Sequence, residues 1–216
     1  MTSLEGIYLV TSGEGLEEET FLSILRKALE GGISLVQLRE KHCSSREFLR
    51  RGTKVKKLLD SRGVPLIIND RVDIALALDA SGVHLGQSDL PYREARNILG
   101  PWAIIGISVE TPEQLEEAST YPGISYLGIS AVFPSLTKTD TPHIWGLSGL
   151  RRARKATKLP LAAIGGIGEK NAREVFEAGA DMIALVSAIM ESPTPRETVQ
   201  KLKNLHLQTL REGGEV

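Results

Sequence analysis

The run Gln37-Leu38-Arg39-Glu40-Lys41 places an amide, two cations and an acid within five residues. The two-residue period of a strand puts Gln37, Arg39 and Lys41 on one face and Val36 with Leu38 on the other. Two cations converging with an amide suit a phosphorylated ligand, because burying them without an anion is costly. A purely structural alternative pairs them with Glu40, Asp70 or Asp89. Asp70 and Asp89 each follow an apolar run by a few residues, so two carboxylates from neighbouring units can approach one ion. Hard oxygen ligands in that number suit Mg²⁺, which completes its shell with phosphate and water. The alternative for each is a helix N-cap, before Arg71 and before Leu90-Pro91-Tyr92.

Further along, 128–141 is a hydroxyl-rich stretch with one lysine, Ser135-Leu136-Thr137-Lys138, suited to a movable cover over phosphate and equally to a plain solvated loop. Gly165-Gly166 and Val186-Ser187 close two later apolar runs, where backbone N–H groups can meet a phosphate.

Apolar runs of four to six residues alternate with amphipathic segments, which predicts βα units feeding a parallel sheet. Strands are expected at 7–11, 34–39, 65–68, 82–85, 104–108, 126–130, 161–164 and 182–186. Helix starts are expected at Thr20, at Ser45 and at Thr111-Pro112-Glu113, and Gly31, Gly63, Gly100 and Gly179 fit helix ends. Eight such units in 216 residues fit a compact α/β (β/α)₈ TIM barrel, a single domain over 1–216. An open doubly wound sheet is the alternative. Polar clusters that follow many strands, rather than one crevice, favour the barrel.

The 26 basic and 27 acidic side chains nearly cancel, which argues against nucleic acid or an anionic membrane as partner. A lone Cys43 and the absence of a long apolar stretch lead us to expect a cytoplasmic protein. His84 is expected to be a hydrogen-bonded barrel residue, and His42, His143 and His206 to face solvent. Trp102 and Trp145 are expected to anchor packing.

Taken together, Gln37 to Lys41, Ile68-Asn69-Asp70-Arg71, Gly82 to Gln87 with Asp89, Thr137-Lys138, Ala163 to Ile167 and Val186 to Ile189 resemble the thiamine phosphate synthase family. The resemblance implies a (β/α)₈ barrel that uses Mg²⁺ to join hydroxymethylpyrimidine diphosphate to a thiazole phosphate. Thiamine phosphate forms and diphosphate leaves. It assigns the pyrimidine diphosphate to the run 37–41 (Leu38 and Glu40 included), Asn69, Ser108 and Lys138, with Arg39, Lys41 and Lys138 catalytic. Mg²⁺ falls to Asp70 and Asp89, and the thiazole phosphate to Ser135, Leu136, Thr137, Gly166, Val186 and Ser187. A homo-oligomer is compatible with all of this. His42, Ser135 and Ile129-Ser130-Ala131 depart from the family's usual residues, which bears on loop detail more than on the reaction. A related tautomerase would carry a histidine within 128–140, and this chain has none there. A non-catalytic sensor would be free to lose the two acids. A third alternative is another phosphate-binding barrel, such as a sugar-phosphate isomerase, and the 37–41 set argues against it.

Overall fold

The computed structural model describes residues 4–13, 15–134 and 143–213. Eight parallel strands close on themselves in sequence order: β1 Gly6–Val10, β2 Leu35–Leu38, β3 Leu66–Asn69, β4 Gly82–Leu85, β5 Ile104–Val109, β6 Tyr126–Ser130, β7 Leu161–Ile164 and β8 Met182–Leu185. Closure is made by β1 against β8, with Ile7 opposite Ile183 and Leu9 opposite Leu185. All strand ends fall within one residue of expectation, because eight apolar runs bounded by polar or glycine residues leave little room for another register.

The helices are α1 Glu18–Gly31, α2 Ser45–Asp60, α3 Val72–Ala77, α4 Tyr92–Leu99, α5 Pro112–Ala118, α6 Gly146–Ala156, α7 Ala172–Glu177, α8 Ser187–Met190 and α9 Pro195–Gly213. At α5, Thr111 accepts a hydrogen bond from Gln114 N and Pro112 stands in the first turn, as expected. Three helix ends differ from expectation. α1 starts at Glu18 rather than after Thr20, and its C-cap is Gly32 at φ 100° rather than Gly31. The cap of α2 is Ser44, whose hydroxyl accepts from Glu47 N, one residue before Ser45. Neither aspartate caps a helix: Arg71 precedes α3 and Pro91 precedes α4, both without a side-chain cap.

Strand alternation sorts the side chains into two layers. Ile7, Leu9, Val36, Leu38, Ile68, Val83, Ile105, Leu127, Ile129, Ala163 and Ile183 face the helices and form the main core. Tyr8, Val10, Leu35, Ile67, Tyr126, Ala162, Met182 and Ala184 fill the barrel itself. The two tyrosines are large for that space and their neighbours are small to match. A Cβ on Gly106 would lie 2.0 Å from Tyr126 Cζ, so only glycine leaves room for the ring. Trp145 is buried and its Nε1 donates to Ser130 O at 3.2 Å. Trp102 is no anchor: it lies 89% exposed in the turn before β5. His206 is also not solvent-facing, being buried on α9 against Phe176, with burial holding its imidazole below its ordinary pKa. No helix among the described residues is long and apolar enough to cross a membrane.

Candidate functional site

The inward register of each strand decides what reaches its C-terminal end. On β2 the inward residues are Leu35 and Gln37, and the chain leaves the strand at Arg39. Arg39 N donates to the buried Thr11 hydroxyl at 3.1 Å, which ties this exit to β1. Glu40 turns the other way: its carboxylate, 4% exposed, takes Arg51 Nη1 of α2 at 2.7 Å. Sequence reasoning grouped Glu40 and Leu38 with the ligand contacts. The structure instead places the Leu38 side chain in the helix-facing core and commits Glu40 to Arg51. Arg39 and Lys41 lie near enough to Asp70 of the next loop for their charges to lower its pKa.

β3 ends in Asn69, nearly buried and in register with His84 of β4. Asp70 follows at φ 60°, a left-handed conformation uncommon outside glycine and tolerated best by Asp and Asn. Its N–H donates to His84 O at 2.9 Å, which holds the turn. Asp89 comes from the next loop, where Oδ2 accepts from Gly86 N at 2.6 Å. The Asp89 carboxyl lies near enough to Asp70 to act on its ionisation. Burial, then the hydrogen bond with Asp89, then its charge push the Asp70 carboxyl up to about 6, while Lys41 and Arg39 pull it down. Four residues from three βα loops therefore share one electrostatic neighbourhood.

Two carboxylates in one neighbourhood form a donor set that fits a hard divalent cation. Among the described residues no group of three or more His, Cys, Asp or Glu is arranged for a metal. Two carboxylates fit an ion that takes its remaining ligands from phosphate and water.

Ser108 closes β5 on the inward side, its hydroxyl 2.9 Å from His84 Nε2 and its carbonyl accepting from Gln87 Nε2 at 2.5 Å. Across the mouth, Gly166 has φ 62°, and a Cβ there would sit 2.6 Å from Pro134 O. The turn after β7 is thus pressed against the chain leaving β6, which only glycine permits. Val186 and Ser187 stand at the start of the short α8 beyond β8. Ser135, Leu136, Thr137 and Lys138 lie outside the described residues.

Beneath this rim His84 is the hydrogen-bonded barrel residue expected, but sequence reasoning missed the file it belongs to. Tyr8, Tyr126 and His84 join Gln37 to Ser108 by hydrogen bonds through the barrel interior. Two tyrosines at inward strand positions, with glycines at inward positions of β5 and β6, were the available signal.

A closed barrel that gathers cations and carboxylates at its C-terminal rim belongs to the phosphate-handling (β/α)₈ enzymes in architecture. The family model described as thiamine monophosphate synthase (TMP-TENI) matches residues 7–189. A thiamine-phosphate synthase of Vibrio parahaemolyticus is 49% identical over 199 residues, covering 92% of this chain and 97% of that one. One from Leptospira biflexa is 48% identical over 204 residues, covering 93% and 97%. Among solved structures, thiamine phosphate pyrophosphorylase from Pyrococcus furiosus superposes with a TM-score of 0.86 at 37% identity, over 97% of this chain and 98% of that chain. The chain belongs to the thiamine monophosphate synthase family, and it is an enzyme of the transferase class.

Proposed function

We propose that the mouth joins a hydroxymethylpyrimidine diphosphate to a thiazole phosphate, free or carboxylated, by Mg²⁺-assisted dissociative displacement. Thiamine phosphate forms and diphosphate is released. The observation that carries this reading is the meeting of Arg39, Lys41, Asp70 and Asp89 in one neighbourhood. Breaking the C–O bond builds negative charge on the departing diphosphate. Cations already fixed at the rim stabilise that charge more in the transition state than in the ground state.

In this reading Asp70 and Asp89 would hold a Mg²⁺, which would supply positive charge to the departing diphosphate. Arg39 and Lys41 clamp the diphosphate from the end of β2, and Lys138 is the third cation assigned to it. Gln37, Asn69 and Ser108 hold the pyrimidine end, where the amino-substituted ring shares the positive charge left by the departing group. No protein nucleophile is required. Ser135, Leu136, Thr137, Gly166, Val186 and Ser187 hold the thiazole phosphate, so that its ring nitrogen is already near the electrophilic carbon. Holding both partners supplies much of the rate.

The test mixes both substrates with the protein and Mg²⁺ and follows diphosphate and thiamine phosphate together. Equal, Mg²⁺-dependent release of the two supports the reading. Diphosphate release without thiamine phosphate would reduce the protein to a hydrolase.

A further inference from the structure

Gln37 Nε2 donates to Tyr8 Oη at 2.5 Å, and Tyr8 Oη lies 2.8 Å from Tyr126 Oη. Tyr126 Oη lies 2.9 Å from His84 Nδ1, and His84 Nε2 lies 2.9 Å from Ser108 Oγ. Five side chains from five strands thus form one file across the barrel, under the rim that the pyrimidine end would occupy. The file is seated with care for its shape. Tyr8 meets Tyr126 edge-on at 5.9 Å, His84 stacks on Tyr126 at 5.5 Å, and Gly106 and Gly128 leave the space that the Tyr126 and His84 rings fill.

A phenol has one proton to give, so a donor at one end of the file orders every later link. Gln37 gives a proton to Tyr8, whose own proton must then go to Tyr126. Tyr126 in turn gives its proton to His84 Nδ1. That leaves His84 neutral with its proton on Nε2, donating to Ser108. Burial raises the pKa of both phenols, so neither loses the proton that the order needs.

We propose that Tyr8, Tyr126 and His84 are positioning residues that lock Gln37 with its carbonyl Oε1 toward the pyrimidine and Ser108 with its O–H toward the same substrate. Gln37 then accepts from the ring's amino group while Ser108 donates to an acceptor atom, so a substrate with the reverse pattern is refused at both ends. The inference rests on the reading above in which Gln37 and Ser108 touch the pyrimidine diphosphate. Its content is separate: the selectivity of these two contacts is set by side chains that never touch the ligand.

The experiment uses steady-state kinetics on the full chain, with Tyr8→Phe and Tyr126→Phe as the primary variants and thermal melts to confirm folding. Each should lower kcat/KM for the pyrimidine diphosphate roughly 10- to 100-fold, the scale on which supporting hydrogen bonds act. KM for the thiazole phosphate should stay at the wild-type value. His84→Gln, which keeps a donor aimed at Ser108, should retain more activity than His84→Leu. In the wild-type protein at neutral pH, ¹⁵N shifts of labelled histidine, assigned through the His84 variants, should show His84 as the neutral Nε2–H tautomer.

Gln37→Ala and Ser108→Ala serve as controls. If both keep wild-type kcat/KM, the contacts themselves are misassigned and the proposal falls with them. If they lose activity while both phenylalanine variants do not, the positioning role alone is overturned. A rise in KM for the thiazole phosphate as large as that for the pyrimidine diphosphate, or an Nδ1–H tautomer, also overturns it.

Discussion

The two ends of the barrel treat charge in opposite ways. At the N-terminal end every named cation is spent on the fold. Arg154 takes Asp181 at 2.8 Å and the carbonyls of Thr157 and Leu159, while Arg96 takes the carbonyls of Gly100, Ala103 and Gly123. Asp181 also accepts from Leu161 N at 2.7 Å, which fixes the starts of β7 and β8 together. At the C-terminal end Asp70 shares its neighbourhood with the Asp89 carboxyl and forms no ion pair among the described residues, and its pKa is pushed up to about 6. One end is satisfied internally, and the other holds like charges together. Such an arrangement persists only where the rest of the structure over-determines it, as the left-handed Asp70 backbone also indicates.

The largest effect should come from removing the unsatisfied end's acids. Asp70→Asn combined with Asp89→Asn should cut thiamine phosphate formation by at least about 10³-fold and abolish its dependence on added Mg²⁺. Rates measured against Mg²⁺ concentration check this, and an unchanged activation curve would take the metal away from these residues. Lys138→Ala, and separately Arg39→Ala, should lower turnover by about 10²-fold, the cost of one electrostatic stabiliser. Near-normal turnover in either variant removes that side chain from catalysis.

The opposite end should respond in stability alone. Arg154→Met strands Asp181 and two carbonyl groups and should cost roughly 1–3 kcal/mol. At about 2–4 °C per kcal/mol for a chain of this size, calorimetry reads that directly. Turnover at a temperature where the variant is folded should match the wild type. A drop in kcat would show that the two ends are coupled and would break the contrast.

This contrast explains which features the sequence makes legible. The barrel is readable because eight short apolar runs and the capped helices between them each specify their own local structure, and closure follows from packing. At the rim, strand alternation makes legible only that Gln37, Arg39 and Lys41 share one face, whereas Asn69 and Ser108 are singled out by the family resemblance. Glu40 escapes that logic because its partner, Arg51, lies on the next helix, and no local period announces a salt bridge to α2. His206 escapes it for a similar reason: α9 buries it against α7, although its own helix reads as amphipathic. The hydroxyl file from Gln37 to Ser108 is the furthest from view, since its five members are contiguous only after the barrel closes.

The smallest expected effect probes the same contrast without catalysis. Asp70 holds its proton more tightly in the folded protein than in the unfolded chain, because burial and Asp89 oppose its ionisation more than Lys41 and Arg39 favour it. Its ionisation therefore costs stability, a cost absent below the ordinary carboxylate range and complete once pH rises past about 6. Asp89→Asn removes the facing charge, and an asparagine oxygen can still accept from Gly86 N. Without divalent ions, this variant should melt higher than the wild type at neutral pH, with the difference closing as pH falls through 6 toward 4. Added Mg²⁺ should raise the melting temperature of the wild type and leave the variant nearly unmoved, reversing their order. A variant that melts lower than the wild type at every pH would mean that Asp89 serves the fold, as Asp181 does at the other end.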